Sequence, residues 1–91
     1  MRTVTVWHRR GCGPCEAVIR DVVPELREEG VEVVLMDVSK HPCAARDARI
    51  AYLPTLVAEG DGPRVTCRGY PDERAVRALV ADGWREVTSE P

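Results

Sequence analysis

The residues best suited to chemistry are two cysteines separated by two residues, in the stretch Gly11-Cys12-Gly13-Pro14-Cys15. Such a pair trades electrons with another disulfide or supplies half of a tetrahedral metal site. A purely structural bridge between them would close a very short loop and restrain little of the unfolded chain. Electron exchange makes a stricter demand, because only the thiolate is a good nucleophile. What surrounds the two sulfurs therefore decides between these uses.

Upstream, Thr3-Val4-Thr5-Val6-Trp7 reads as a β-branched strand. Downstream, Cys15, Val18, Ile19, Val22 and Leu26 recur at helical spacing and give one apolar face. Pro14 suits the opening turn, where its missing N–H has no partner to lose. The pair thus sits where a strand ends and a helix begins. There the unpaired N–H groups and the helix dipole favour negative charge, so Cys12 is expected to have its pKa lowered into the range of ~3.5–7.5 seen for activated cysteines. Cys15, one turn later and beside Val18 and Ile19, is expected to be buried and protonated. This division makes Cys12 the attacking nucleophile and Cys15 the resolving thiol, with Gly13 and Pro14 shaping the backbone between them. Arg9 and Arg10 bring positive charge nearby. They read either as solvated loop charges or as groups that stabilise the thiolate or grip a substrate carboxylate.

Pro24 cannot bond to the carbonyl of Arg20, so a kink is expected near Val23, with a further turn ending at Gly30. The near-continuous apolar run Val31–Val38 is the pattern of a strand buried on both faces. Together these elements form a parallel βαβ unit. A turn at residues 39–42 leads into a short helix over about Cys43 to Ala51. A strand from Thr55 to Ala58, a turn-rich loop at residues 59–63 and an antiparallel strand from Arg64 to Arg68 follow. Gly69-Tyr70-Pro71 breaks that strand. A last helix from Asp72 to Ala81, with Val76, Leu79 and Val80 inward, is stopped by Gly83. The order is β-α-β-α-β-β-α, an α/β fold with a four-stranded mixed sheet flanked by helices. It is expected to form one domain over residues 1–83, followed by a polar tail at 84–91.

Ninety-one residues with 44% apolar and 31% charged content support one small core. A formal net charge of −2 and only four aromatic residues give no footprint for nucleic acid or an anionic membrane. No apolar run has the length of a membrane span, and no signal-peptide h-region follows Met1. The expectation is a soluble, cytoplasmic monomer. In the reducing cytosol four cysteines do not make a disulfide framework, and a CxxC there is catalytic or metal-binding.

A CxxC at the first strand–helix junction of a βαβ unit resembles the thioredoxin superfamily. Gly-Cys-Gly-Pro-Cys matches the centre of the thioredoxin active site, and Leu53-Pro54-Thr55 looks like that superfamily's cis-proline turn. The length, Arg9 three residues before Cys12, and Gly69-Tyr70-Pro71-Asp72 are more similar to glutaredoxins, in which such positions contact glutathione. The resemblance implies a thioredoxin-like fold of glutaredoxin size. It also implies a protein disulfide oxidoreductase serving electron transport and redox homeostasis, with no cofactor beyond its own cysteine pair. Disulfide-containing proteins would be its substrates and a reductase or glutathione its electron donor. It further implies a cis Leu53–Pro54 bond that leaves the polar groups of Leu53 free to pair with an extended substrate. Leu53, Thr55, Gly69, Tyr70 and Asp72 would join Arg9 and Arg10 in contacting that substrate. Asp72 and Glu73 have a plainer reading, as acids favouring a helix N-terminus. Two positions depart from thioredoxins: Gly11 replaces the usual Trp, and Val6 stands where the family places a buried acid that accepts the second thiol's proton. Gly13-Pro14 also departs from the Pro-Tyr usual in glutaredoxins.

The rival reading is a metal-binding module built on Cys12 and Cys15 with Cys43 or His8. It lacks a second CxxC or an H-x₃₋₅-H pair to complete a zinc site. A redox-inactive adaptor of the same fold is the third reading, and the intact pair speaks against it. Cys67, sharing a strand face with Val65, reads as a packing cysteine. Cys43 follows Pro42 in a turn and is expected to be exposed.

Overall fold

A computed structural model describes residues 2–81. Four strands, β1 (Arg2–His8), β2 (Glu32–Asp37), β3 (Thr55–Gly60) and β4 (Val65–Arg68), form one sheet in the order β2-β1-β3-β4. β1 runs parallel to β2 and antiparallel to β3, and β4 returns antiparallel to β3. The element order and mixed four-stranded sheet are those expected from the sequence.

β1 is a central strand, and its alternation sends side chains into two cores. Val4 and Val6 face a cluster with Val18, Val22, Leu26, Leu56 and Leu79. Trp7 faces a second cluster with Ala45 and Val57. Between β1 and β2 the chain forms α1 (Gly13–Ala17), a π-helical segment (Val18–Val22) and α2 (Val23–Glu28). The expected break near Val23 takes the form of this π segment: Val23 donates to the carbonyl of Val18, five residues back. A wider turn just ahead of Pro24 lets the chain pass the missing N–H without ending the helix. α2 ends at Glu28, and Gly30 closes the turn after it, as the glycine signalled. Gly30 has φ 85°, its N–H bonds Arg27, and the N–H of Val31 reaches back to Leu26.

One expectation is corrected. β2 is an edge strand, not one buried on both faces, and it is shorter than the apolar run that suggested it. Val34 and Leu35 remain 37% and 40% exposed, because β1 is its sole neighbour and the flanking helices cover mainly Val33, Met36 and Val38. The short helix α3 (Pro42–Asp47) also ends earlier than expected. The last helix, α4 (Glu73–Val80), starts just after Asp72. The stop at Gly83, the tail at 84–91 and the domain boundary between them lie outside the described residues.

Arg2 ties the two ends of the described chain together. It is buried, and its guanidinium donates to the carbonyls of Leu79 (2.9 Å), Ala78 (3.5 Å) and Asp61 (2.8 Å). The last turn of α4 is thereby capped by a cation from the first residue of β1, which matches the negative end of the helix dipole.

Candidate active site

The sheet gathers the site at one end. β1 ends at His8 and runs into the loop carrying the cysteines. β3 begins at Thr55 opposite Trp7, and β4 ends at Arg68 opposite Thr55. The loops at residues 9–12, 52–54 and 69–71 therefore share that edge of the molecule.

The first loop is a tight turn: Cys12 N–H bonds the carbonyl of Arg9 at 3.3 Å, and Gly11 takes φ 82°, which side-chain-bearing residues rarely adopt. Cys12 is the N-cap of α1, its Sγ accepting the N–H of Cys15 at 3.2 Å. One free donor of the helix's first turn thus points at this sulfur, at the strand–helix junction. Cys12 and Cys15 form a disulfide with their Cα atoms 5.2 Å apart. Cys15 is 1% exposed while Cys12 is half-buried, so one sulfur faces outward and its partner lies behind it. Gly13 and Pro14 lie exposed between them, and Arg9 and Arg10 are exposed on the approach.

The second loop carries a cis Leu53–Pro54 bond. Pro54 is buried, and its carbonyl accepts the N–H of Gly69 at 2.7 Å, which couples this turn to the end of β4. Thr55 is buried too and donates its hydroxyl to the carbonyl of Tyr52 at 2.6 Å, so its side chain holds the loop. The hydrogen bonds among the described residues leave the main-chain N–H and C=O of Leu53 unpaired.

Tyr70 and Asp72 both have hydrogen-bond partners within the fold. The hydroxyl of Tyr70 donates to Asp21 (3.3 Å) in the π segment, bracing the third loop against the cysteine-bearing helix. Asp21 also receives two bonds from Arg20, and that guanidinium holds its carboxyl below the usual range. Asp72 is the N-cap of α4, accepting the N–H of Ala75 at 2.8 Å. This is the helix-start role that its acidity suggested.

Of the remaining cysteines, Cys43 is exposed with an Arg46 nitrogen 3.8 Å from its sulfur. Cys67 is half-buried against the larger core, and burial, then Asp72, pushes its thiol up. Among the described residues no three His, Cys, Asp or Glu side chains are grouped as a metal site requires. Tyr52, 63% exposed beside the cis-proline turn, was not singled out from the sequence. Its position two residues before Pro54 was the available signal.

No family model matches the chain, and no curated protein matches it. Solved structures do. Chloroplastic thioredoxin z is 26% identical, with a TM-score of 0.75 over 88% of this chain and 75% of its own. Fasciola hepatica thioredoxin is 27% identical, with a TM-score of 0.74 over 87% of this chain and 77% of its own. A mutant thioredoxin from Halobacterium salinarum is 26% identical, with a TM-score of 0.74 over 87% of this chain and 71% of its own. No described helix is long and apolar enough to cross a membrane. Sheet order, cis-proline turn and an outward-facing cysteine backed by a buried one converge with these likenesses: the chain is a small thioredoxin-like protein of the thioredoxin superfamily, with a cysteine pair of the CxxC active-site type.

Proposed function

We propose that this protein is a thiol–disulfide oxidoreductase that reduces protein disulfides, with Cys12 as nucleophile and Cys15 as resolving thiol. The observation that carries the reading is the pairing of a half-buried Cys12, capped onto a helix N-terminus, with a fully buried Cys15 one turn behind it. In the reduced protein the Cys12 thiolate attacks one sulfur of a substrate disulfide. A mixed disulfide forms, and the first substrate sulfur leaves as a thiolate. Cys15 then loses its proton to water or to that departing thiolate and attacks Cys12 Sγ. The Cys12–Cys15 disulfide closes and the second substrate sulfur is released, so that two electrons have passed from the protein to the substrate. An external reductant must return those electrons.

The unpaired main-chain groups of Leu53 support pairing with an extended substrate strand, held beside Cys12 by the Pro54–Gly69 hydrogen bond. Thr55 steadies that turn, while Gly69, Tyr70 and Asp72 shape the wall opposite. Arg9 and Arg10 supply positive charge where the thiolate forms. The protein works as a monomer in the cytoplasm, with disulfide-containing proteins as substrates and a reductase or glutathione as donor.

Reduced protein is expected to reduce insulin disulfides. Cys12→Ser should lower this to background, and Cys15→Ser should trap a mixed disulfide visible by mass spectrometry. Comparing thioredoxin reductase plus NADPH with glutathione plus glutathione reductase identifies the donor. Stoichiometric zinc held through Cys12 and Cys15, with no insulin reduction, would overturn the reading.

A further inference from the structure

The face of the sheet that carries α3 is covered only in part. Val65 and Cys67 of β4 turn to the larger core, which leaves Arg64, Thr66 and Arg68 on the opposite side. There they line a hollow of about 190 Å³ with Arg49 and Thr55. Arg68 also lines the neighbouring hollow of about 540 Å³ shared with Tyr52, Leu53 and Gly69, which runs up to the cis-proline turn. Three arginines therefore border the first hollow, and Arg68 is shared with the second, beside the turn where the disulfide substrate is proposed to lie. Arg64 is engaged by Glu59 at 3.1 Å, whereas Arg49 and Arg68 have no acidic partner among the described residues.

Arg49 carries a second sign. It follows α3 at the position where glycine is preferred, with its N–H bonded to Arg46 and that of Ile50 reaching back to Ala45, and it adopts φ 58°. A long side chain is kept where the backbone favours none, so the strain points to a use for the cation.

We propose that Arg49 and Arg68, with Arg64 behind them, form a cationic subsite that selects protein disulfides flanked by acidic residues. The proposal rests on the thiol–disulfide exchange reading and names its substrate class. A polypeptide lying along Leu53 would place the side chains beside its cystine over Tyr52 and Arg68, where Asp or Glu meets uncompensated positive charge.

The test uses the reduced full chain and three disulfides: a quenched fluorescent peptide pair joined by one disulfide and flanked by Asp and Glu, the same pair flanked by Ser, and neutral bis(2-hydroxyethyl) disulfide. Second-order rate constants at low salt should favour the acidic peptide about five- to tenfold, an advantage that shrinks as salt rises. Arg49→Gly with Arg68→Gln should erase the advantage and leave the rate with the small neutral disulfide unchanged. Arg49→Gly alone should diminish it while keeping or raising the melting temperature, which a purely structural arginine would not do. Equal rates for both peptides, with the small disulfide still reduced, overturn the subsite and leave the exchange reading intact. Failure with all three disulfides overturns the exchange reading and the subsite with it. An oligonucleotide that binds in preference to the acidic peptide reassigns the cations and overturns the proposal.

Discussion

At the residue scale, two chemically identical thiols outside the CxxC pair lie in opposite environments. Cys43 is exposed beside a guanidinium, whereas Cys67 is half-buried with its pKa raised by desolvation and by Asp72. Because the thiolate is the reactive form, Cys43 in the oxidised protein should be alkylated by iodoacetamide at least about tenfold faster than Cys67 at pH 8. Peptide mapping by mass spectrometry over a time course checks this, and Cys67→Ala should leave the fast phase untouched. Both environments were legible in the sequence, one from a turn after proline and the other from strand alternation with Val65. The partners of Tyr70 and Asp21 were not legible, since their contact spans forty-nine positions and no local pattern encodes it.

At the element scale, the fold depends on how helix ends are satisfied. Glycine closes α2, Asp72 opens α4 and Cys12 opens α1, and each is a local signal readable in the chain. The closing of α4 is different, because its last carbonyls are bonded by Arg2 from seventy-seven positions away. Arg2→Ala would leave these carbonyls without their charged donor. It should cost about 2–4 kcal/mol, the range for losing charged hydrogen bonds at a buried site. Arg2→Lys keeps the charge but loses the planar fork, and should recover only part of that. Urea unfolding midpoints of the oxidised proteins measure both. The π segment shows the same limit of local reading. Pro24 announced a disturbance, but whether it became a kink, a stop or a widened turn was settled by packing Val18, Val22, Val23 and Leu26 against the sheet.

At the scale of the whole molecule, charge is unevenly shared between the two faces of the sheet. Acids outnumber bases along the helical stretch between β1 and β2, where Glu16, Asp21, Glu25, Glu28 and Glu29 stand against Arg20 and Arg27. The α3 side carries Arg46, Arg49, Arg64 and Arg68 against Asp47 and Glu59. The net charge of −2 conceals this separation. Stability should follow pH accordingly. Asp37 is held below its ordinary 3.8 chiefly by the backbone N–H of Ser39, and Asp21 by Arg20. A carboxylate whose pKa is depressed on folding contributes stability above the unfolded value and loses it as pH falls through the folded one. The unfolding midpoint of the oxidised protein should therefore decline below about pH 4, and Asp37→Asn should shallow that decline. Cys67 acts at the other limit. Its raised pKa contributes stability below the ordinary 9.0 that is lost as pH climbs through the folded value. What the sequence alone determined were the properties carried by neighbours along the chain: strand alternation, helix faces, caps, the cysteine spacing and the proline before β3. Tertiary structure alone decided that β2 lies at an edge, that Arg2 closes α4, and that Arg49 after α3 meets Arg64 and Arg68 of the β4 stretch around one hollow. An apolar run is identical in sequence whether one strand or two flank it, and a buried cation is identified only by the distant carbonyls that fold onto it.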